Sequence, residues 1–351
     1  MSDKLKTILI IRFRRVGDSV LSMALCHSLK QSFPAAKIHF VLNENIAPLY
    51  KDHPDIDRII TFNDKENHGW TYVKKVRELM KANHYDAIID MRSTVKTMLF
   101  SLFSLSTPYR IGRKKWYGRG LLNFRLQAPE GTDRVASNLQ LLEPLSAEGK
   151  IVKDDSFPLY ISAEEKERYK IYLCNKGLDL TKPIVLVAVA TRIVGKAWPH
   201  DRMLEVLKRI LTNYSVQLVF NYSGPIEEKV ARQFYQDLNC NPRIFLGVEA
   251  KGLRELCALC ACSLFFFGNE GGPRHISQAF DVPSFAIYPP GISKDFWLPG
   301  KSERYQGISP DDSVTPAKQE NLSYKERMEL ITIESVWEGL YPMLDKFLPK
   351  S

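Results

Sequence analysis

Apolar positions along this chain alternate between two rhythms. Short, nearly unbroken runs at Thr7–Arg12, Lys37–Leu42, Arg58–Phe62 and Ala87–Asp90 are separated by longer stretches with helical spacing. Apolar runs of four to six residues suit strands buried on both faces of a parallel sheet. The spacing predicts a helix from about Ser19 to Phe33, stopping before Pro34, and another over Trp70–Lys81, with Val73, Val76, Leu79 and Met80 on one face. A further apolar helix is expected around Thr94–Leu105, a basic surface loop over Trp116–Asp133, and a helix over Arg134–Leu145. Strands alternating with helices at this spacing predict an α/β, doubly wound parallel sheet.

The rhythm restarts after a charged helix at Ala163–Asn175 and the break Thr181-Lys182-Pro183. Ile184–Ala190 is a wholly apolar run, then come a helix (Met203–Leu211), a strand (Val216–Phe220), a helix (Glu227–Leu238), a short strand at Ile244–Phe245 and a helix (Leu253–Cys262). Leu264–Phe267 and Ser284–Ile287 are read as the last strands, Lys301–Tyr324 as polar and irregular, and Ile333–Phe347 as an amphipathic closing helix. Two βα halves, each opening on a strong apolar strand, imply two domains with a cleft between them for two substrates.

Composition narrows the class. With 351 residues, 44% of them hydrophobic and 25% charged, the chain has the make-up of an ordinary folded protein. No run approaches the roughly 18 apolar residues of a membrane span, and the opening MSDKLK leads straight into Ile8–Ile11 without a secretory pattern. A cytoplasmic protein is expected. The six cysteines do not form a disulfide framework, and Cys257-x-x-Cys260-x-Cys262 lies in an apolar stretch without a second pair, so buried thiols are expected rather than a metal site.

The net charge of +9 points to an anionic partner. It is concentrated in Arg12, Arg14 and Arg15 and in Arg110, Arg113, Lys114, Lys115 and Arg119, a run without an acid. No RNA- or DNA-binding module is recognisable, and the aromatic residues beside the basic run are few (Tyr109, Trp116, Tyr117), so nucleic acid is not the partner expected.

Candidate chemistry sits where strands end. Gly268–His275 reads G-N-E-G-G-P-R-H between an apolar strand and a helix. Gly271 and Gly272 permit close backbone approach, Pro273 suits the first helical position, and free N–H groups at a helix start attract phosphate. Arg274 and His275 add donors and Glu270 an acceptor. Thr191 and Lys196 follow the apolar strand of the second half and suit a diphosphate. Glu227 opens the next helix, either as a ligand of a ribose diol or as a complement to the helix dipole. In the first half, Arg12-Phe13-Arg14-Arg15-Val16-Gly17-Asp18 follows the first strand. Asp18 is either the N-cap of the next helix or a base, and the neighbouring arginines favour an anionic acceptor and hence the base.

In combination these segments resemble the bacterial heptosyltransferases, glycosyltransferase family 9, which build lipopolysaccharide core. The matching pieces are I-L-I-I-R-F-R-R-V-G-D-S-V-L, Y-R-I-G at 109–112, K-A-W-P at 196–199, G-P-I-E at 224–227, G-N-E-G-G-P-R-H-I-S-Q-A-F-D-V-P at 268–283 and the closing I-T-I-E-S-V-W. The resemblance implies a GT-B fold of two Rossmann-like domains facing a cleft: an acceptor domain at 1–162, a donor domain at 163–332, and a closing helix, 333–351, that packs back on the first domain. It implies inverting, metal-independent transfer of a sugar, heptose, from a nucleoside-diphosphate donor, ADP-heptose, to an anionic glycolipid of the lipopolysaccharide core. Under it Asp18 is the catalytic base. Thr191, Lys196, Glu227, Glu270, Gly271, Gly272 and His275 bind the donor, and no cofactor or metal is required. Arg12, Arg14, Arg15, Arg110, Arg113, Lys114 and Lys115 hold the acceptor, with peripheral contact at the cytoplasmic face of the inner membrane. The chain departs from the family in Glu270, where aspartate is usual, in Ala190, where some members carry a hydroxyl, and in Arg14 and Arg15, where small residues are frequent. A GT-B sugar-nucleotide epimerase is the alternative, but it needs no basic acceptor patch.

Overall fold

A computed structural model describes residues 5–349; the first four residues of the MSDKLK lead and the last two of the chain lie outside the described residues. The chain divides into two compact units, one up to Tyr160 and one from Ile161.

The first unit is a six-stranded parallel sheet of β1 (Thr7–Ile11), β2 (Lys37–Asn43), β3 (Arg58–Phe62), β4 (Ala87–Asp90), β5 (Tyr109–Arg113) and β6 (Phe124–Leu126), in the order β3-β2-β1-β4-β5-β6. The apolar runs fill its centre: Ile8 to Ile11 are fully buried, and Ile10 lies opposite Phe40 of β2 on one side and Ile89 of β4 on the other. A cluster of Phe13, Phe62, Tyr72 and Phe100 packs the helix at Gly69–Ala82 against the sheet.

Three local expectations change here. The first helix is broken into Val16–Val20 and Met23–Ser32 and begins earlier than its apolar spacing indicates. The helix expected over Thr94–Leu105 contracts to Met98–Leu102. Within the surface loop expected over Trp116–Asp133, Phe124–Leu126 forms β6, paired with β5, a strand the apolar pattern did not mark.

The second unit repeats the topology. β7 (Ile184–Ala188), β8 (Gln217–Phe220), β9 (Ile244–Phe245), β10 (Phe265–Asn269), β11 (Ser284–Ile287) and β12 (Tyr305–Ile308) run in the order β12-β11-β10-β7-β8-β9, all parallel. Taken by position within the unit, this is the strand order of the first sheet, the doubly wound pattern of a Rossmann fold. β12 falls inside the stretch read as irregular, because Tyr-Gln-Gly-Ile lacks an apolar run and borrows its order from β11.

The closing helix, Ile333–Phe347, requires a correction. Expected on the first domain, it buries Val336, Leu340, Met343 and Leu344 in the core of the second unit, against β11, β12 and the helix at His200–Asn213. Its apolar stripe is therefore part of that core. Cys257 and Cys260 are buried in the helix Leu253–Cys262, and burial raises the Cys260 thiol to about 12. Among the described residues no group of three or more His, Cys, Asp or Glu is placed to hold a metal ion, and no helix is long and apolar enough to cross a membrane.

Candidate active site

In the first unit, the carboxyl end of β1 delivers Arg12 and then a turn in which Arg14 takes φ +98°. Asn43, at the end of the neighbouring β2, accepts the Arg14 backbone N–H at 2.8 Å and holds that turn. The helix starts at Val16 with Arg15 in the cap position and no side-chain cap, so Asp18 lies in the first turn and does not cap it. Its carboxylate is used otherwise: Oδ1 accepts from Arg12 Nη2 and lies 3.2 Å from Arg134 Nη2. Arg12 is nearly inaccessible, and burial pulls its guanidinium down to about 10 despite the adjacent carboxylate. Arg92, beyond β4, is likewise lowered, first by burial and then by Arg14. Arg12 and Arg134 thus hold one carboxylate, with Arg92 in electrostatic reach of both it and Arg14, an excess of positive charge that suits an anionic substrate group.

Arg134 and Arg92 were not singled out by sequence. Arg92 follows the carboxyl end of β4, so the strand-end rule could have found it. Arg134 opens a helix capped by Asp133, more than a hundred residues from Asp18, and nothing local marks it. Conversely, two predicted acceptor residues are occupied with structure. Arg110 donates to the carbonyls of Leu121 (2.8 Å), Leu105 (2.6 Å) and Thr107 (2.5 Å). Arg113 donates to Gln140 Oε1 at 2.5 Å and to Ser137, and burial lowers it to about 10. Both tie β5 to its surroundings. Arg14, Arg15, Lys114 and Lys115 are exposed.

In the second unit, β10 ends in Gly268 and Asn269. Gly268 has φ +134°, and a Cβ there would lie 2.5 Å from the Ala188 carbonyl oxygen of β7, so only glycine fits. Asn269 is buried and joins two loops: Nδ2 donates to Ala188 O (3.0 Å) and Val189 O (3.1 Å), while Oδ1 accepts the Trp198 N–H at 2.8 Å. This residue was not singled out either, since an asparagine after a glycine reads as turn material. The loop it pins carries Thr191, whose hydroxyl donates to Ile193 O (2.6 Å), and Lys196, half-buried in a short 3₁₀ turn.

Gly271 is extended at φ 171° and leads into the helix Gly272–Ala279, with Pro273 in its first turn. His275 Nε2 lies 3.3 Å from Glu270 Oε1. Burial alone would raise the Glu270 carboxyl, but the His275 hydrogen bond and the charges of His275, Arg274 and Lys196 outweigh it and hold the group below the usual glutamate range. Lys196 is therefore within electrostatic reach of Glu270, which joins the two loops at one place. Arg274, read in sequence as a phosphate donor, is wholly buried: it gives Nη1 to Gln278 Oε1 (2.7 Å) and Nη2 to Trp297 O (2.6 Å) and contacts the His275 ring. It braces the turn from below. Glu227, in the first turn of Gly224–Asp237, accepts the Ser223 N–H at 2.8 Å on Oε2, the helix-start role weighed above, with one carboxylate oxygen left over.

Among known proteins, residues 73–326 match the family described as Glycosyltransferase family 9 (heptosyltransferase). The chain is 25% identical to the lipopolysaccharide heptosyltransferase 3 of Escherichia coli (strain K12), over 95% of this chain and 97% of that one. Among solved structures it is similar to a family 9 glycosyl transferase from Veillonella parvula (TM-score 0.80, 18% identity, 99% of each chain). It is also similar to E. coli heptosyltransferase WaaC with ADP-2-deoxy-2-fluoro heptose (TM-score 0.69, 16% identity, 96% and 99%). The fold, two Rossmann-like units, is GT-B.

Proposed function

Because the chain belongs to glycosyltransferase family 9, the heptosyltransferases, and is a glycosyltransferase, we propose that it moves a heptose from ADP-heptose to a sugar hydroxyl of the lipopolysaccharide core. The observation that carries the reading is the turn after β10, where Glu270, His275, the open helix start at Gly272 and Lys196 converge. A nucleoside diphosphate sugar needs such a set: amides and an ammonium for the phosphates, and a carboxylate for sugar hydroxyls. The similar E. coli heptosyltransferase WaaC, solved with ADP-2-deoxy-2-fluoro heptose, supports ADP and heptose as the donor's two parts.

Transfer proceeds with inversion. The acceptor oxygen attacks the anomeric carbon as the bond from that carbon to the β-phosphate oxygen breaks. Asp18 takes the hydroxyl proton on Oδ2, its Oδ1 being held by Arg12 and Arg134. The electron pair of the broken bond stays with ADP, and the charge that develops there is met by Lys196, by the helix start and by Thr191 turned from Ile193. Those fixed charges do the work of a divalent metal, so transfer is metal-independent. Glu227 binds the ribose through its remaining oxygen. Arg14, Arg15, Arg92, Lys114 and Lys115 face the acceptor's acidic groups.

A calorimetric panel of ADP-, GDP-, UDP- and CMP-sugars, followed by transfer to a core oligosaccharide in chelator, tests the reading. Selective ADP-heptose binding and chelator-resistant transfer are expected; preference for another nucleotide, or release of an epimerised sugar, overturns it.

A further inference from the structure

Arginine is rarely buried, and a buried guanidinium is costly unless its donors are all put to use. Arg274, wholly inaccessible, directs them to a neighbouring turn. Nη2 donates to the Trp297 carbonyl (2.6 Å) and Nη1 to Gln278 Oε1 (2.7 Å), and Gln278 Nε2 donates in turn to the Pro299 carbonyl (2.7 Å). The helix Gly272–Ala279 is thereby laced to the segment Trp297–Pro299. That segment is fixed from other sides as well. Trp297 closes the four-residue helix Lys294–Trp297, in which Ser293 Oγ accepts the Phe296 N–H at 3.2 Å. The Trp297 N–H donates to the Ser293 carbonyl (3.1 Å), and the buried Lys294 pairs with Asp312. A helix of one turn has no stability of its own, so these bonds set where its side chains stand.

What they present is an indole. Its ring stands edge-on to His275 at 6.2 Å and 76°, and edge-on to Phe296 at 5.1 Å and 88°. His275 Nε2 lies 3.3 Å from Glu270 Oε1, so one imidazole meets both the carboxylate and the indole. Trp297 keeps accessible surface there, whereas its neighbours Leu298 and Pro299 are buried. A pyranose carries hydroxyls around its rim and C–H groups on its faces. A carboxylate takes the former, and an indole, broad and apolar with an electron-rich face, takes the latter. A nucleobase also stacks on indole, but the sheet order puts it elsewhere. Glu227, read as the ribose ligand, stands beyond β8 and Trp297 beyond β11, with β7 and β10 between them.

We propose that Trp297 is the platform for the donor's sugar ring, its indole against a C–H face while Glu270 takes hydroxyls. The proposal deepens the donor reading above and rests on it. Arg274 is the positioning residue beneath, since it holds the turn that carries the indole.

The test is calorimetry of the full chain with ADP and, separately, with ADP-heptose. Substitution at 297 leaves the lacing in place, because Arg274 bonds that residue's carbonyl and not its side chain. Trp297→Ala should weaken ADP-heptose by about tenfold, the worth of one stacked ring, and leave ADP unchanged. Trp297→Phe, which keeps a ring, should recover most of the loss. Trp297→Leu, which keeps bulk without a ring, should not. Equal weakening of ADP and ADP-heptose would show that the indole supports the phosphate turn or the nucleobase. Full recovery by leucine would show that it fills space. Either result overturns the proposal, as does unchanged ADP-heptose affinity in Trp297→Ala. If the native chain binds ADP-heptose no better than ADP, the donor reading and this one fall together. If it does bind it better and Trp297→Ala keeps that preference, only this one falls.

Discussion

Asn269 Oδ1 accepts the backbone N–H of Trp198 at 2.8 Å, across seventy-one residues of sequence. With its two donations to Ala188 O and Val189 O, that amide locks the Lys196 loop to the Glu270 turn. Asn269→Ala should strand three buried backbone groups and cost about 2–4 kcal/mol of stability. Nucleotide affinity should fall more than stability alone explains, because Lys196 loses its fixed distance from Glu270. Urea unfolding and calorimetry with ADP, below the melting temperature, measure the two. Stability lost with full ADP affinity would mean the loops hold their places without the bridge.

Asp18→Asn should reduce transfer by about 10²–10⁴-fold while leaving ADP affinity untouched, since an amide accepts no proton and Asp18 lies in the other unit from the donor loops. The variant also leaves Arg12 buried beside a neutral partner, so its melting should be compared directly. Normal turnover by a folded Asp18→Asn enzyme removes the base from Asp18.

Most strands were legible because parallel, doubly buried strands write themselves as apolar runs, as Ile8–Ile11 and Ile184–Ala188 do. β5, β6 and β12 were not. Phe-Arg-Leu and Tyr-Gln-Gly-Ile are edge strands of three and four residues, and their order comes from a neighbour rather than from their own pattern. At the site, strand-end loops pointed to Asp18, Lys196 and Glu270. Sequence could not say which arginines act: a guanidinium reads the same whether it faces solvent, as Arg15 does, or three carbonyls, as Arg110 does. The closing helix was misplaced for a similar reason, since an amphipathic stripe states that it is buried and not against what.

Asp90, the last residue of β4, is fully buried. Its Oδ1 accepts the backbone N–H groups of Arg92 (3.0 Å) and Ser93 (2.8 Å), and Oδ2 has no hydrogen-bond partner. Burial raises its pKa more than the nearby Thr97 hydroxyl, these backbone N–H groups and the Arg92 charge lower it. A carboxyl raised on folding contributes stability that is complete below its unfolded pKa of about 3.9 and is lost as pH climbs through the folded value. Asp90→Asn keeps the Oδ1 bonds and removes the titration. Its stability relative to the native chain should therefore improve from acid toward neutral pH, by at most about 1.4 kcal/mol per pH unit. Paired urea titrations at several pH values read this out; a constant difference would mean that Asp90 is charged in both states.

Glu270 stands where the resemblance to the family implies an aspartate, and its reach is what matters. The longer side chain brings Oε1 to 3.3 Å from His275 Nε2, and His275 in turn rests against the buried Arg274, which the Gln278 side chain and the Trp297 carbonyl hold. Shortening it in Glu270→Asp withdraws the carboxylate by about one methylene, roughly 1.5 Å, breaking the His275 contact while leaving the charge. Donor KM should rise about tenfold, the loss of one charge-assisted hydrogen bond. The penalty should fall on the sugar rather than on the nucleotide, so ADP alone should bind as before. Discrimination between ADP-heptose and other ADP-sugars should also narrow, because the carboxylate would then meet sugar hydroxyls from a second position. The control is His275→Gln, which takes away the same contact from the other side. If both variants raise the sugar-dependent KM equally and the double variant adds nothing further, Glu270 and His275 act as one unit. Additive losses would show that Glu270 grips the sugar without help from His275.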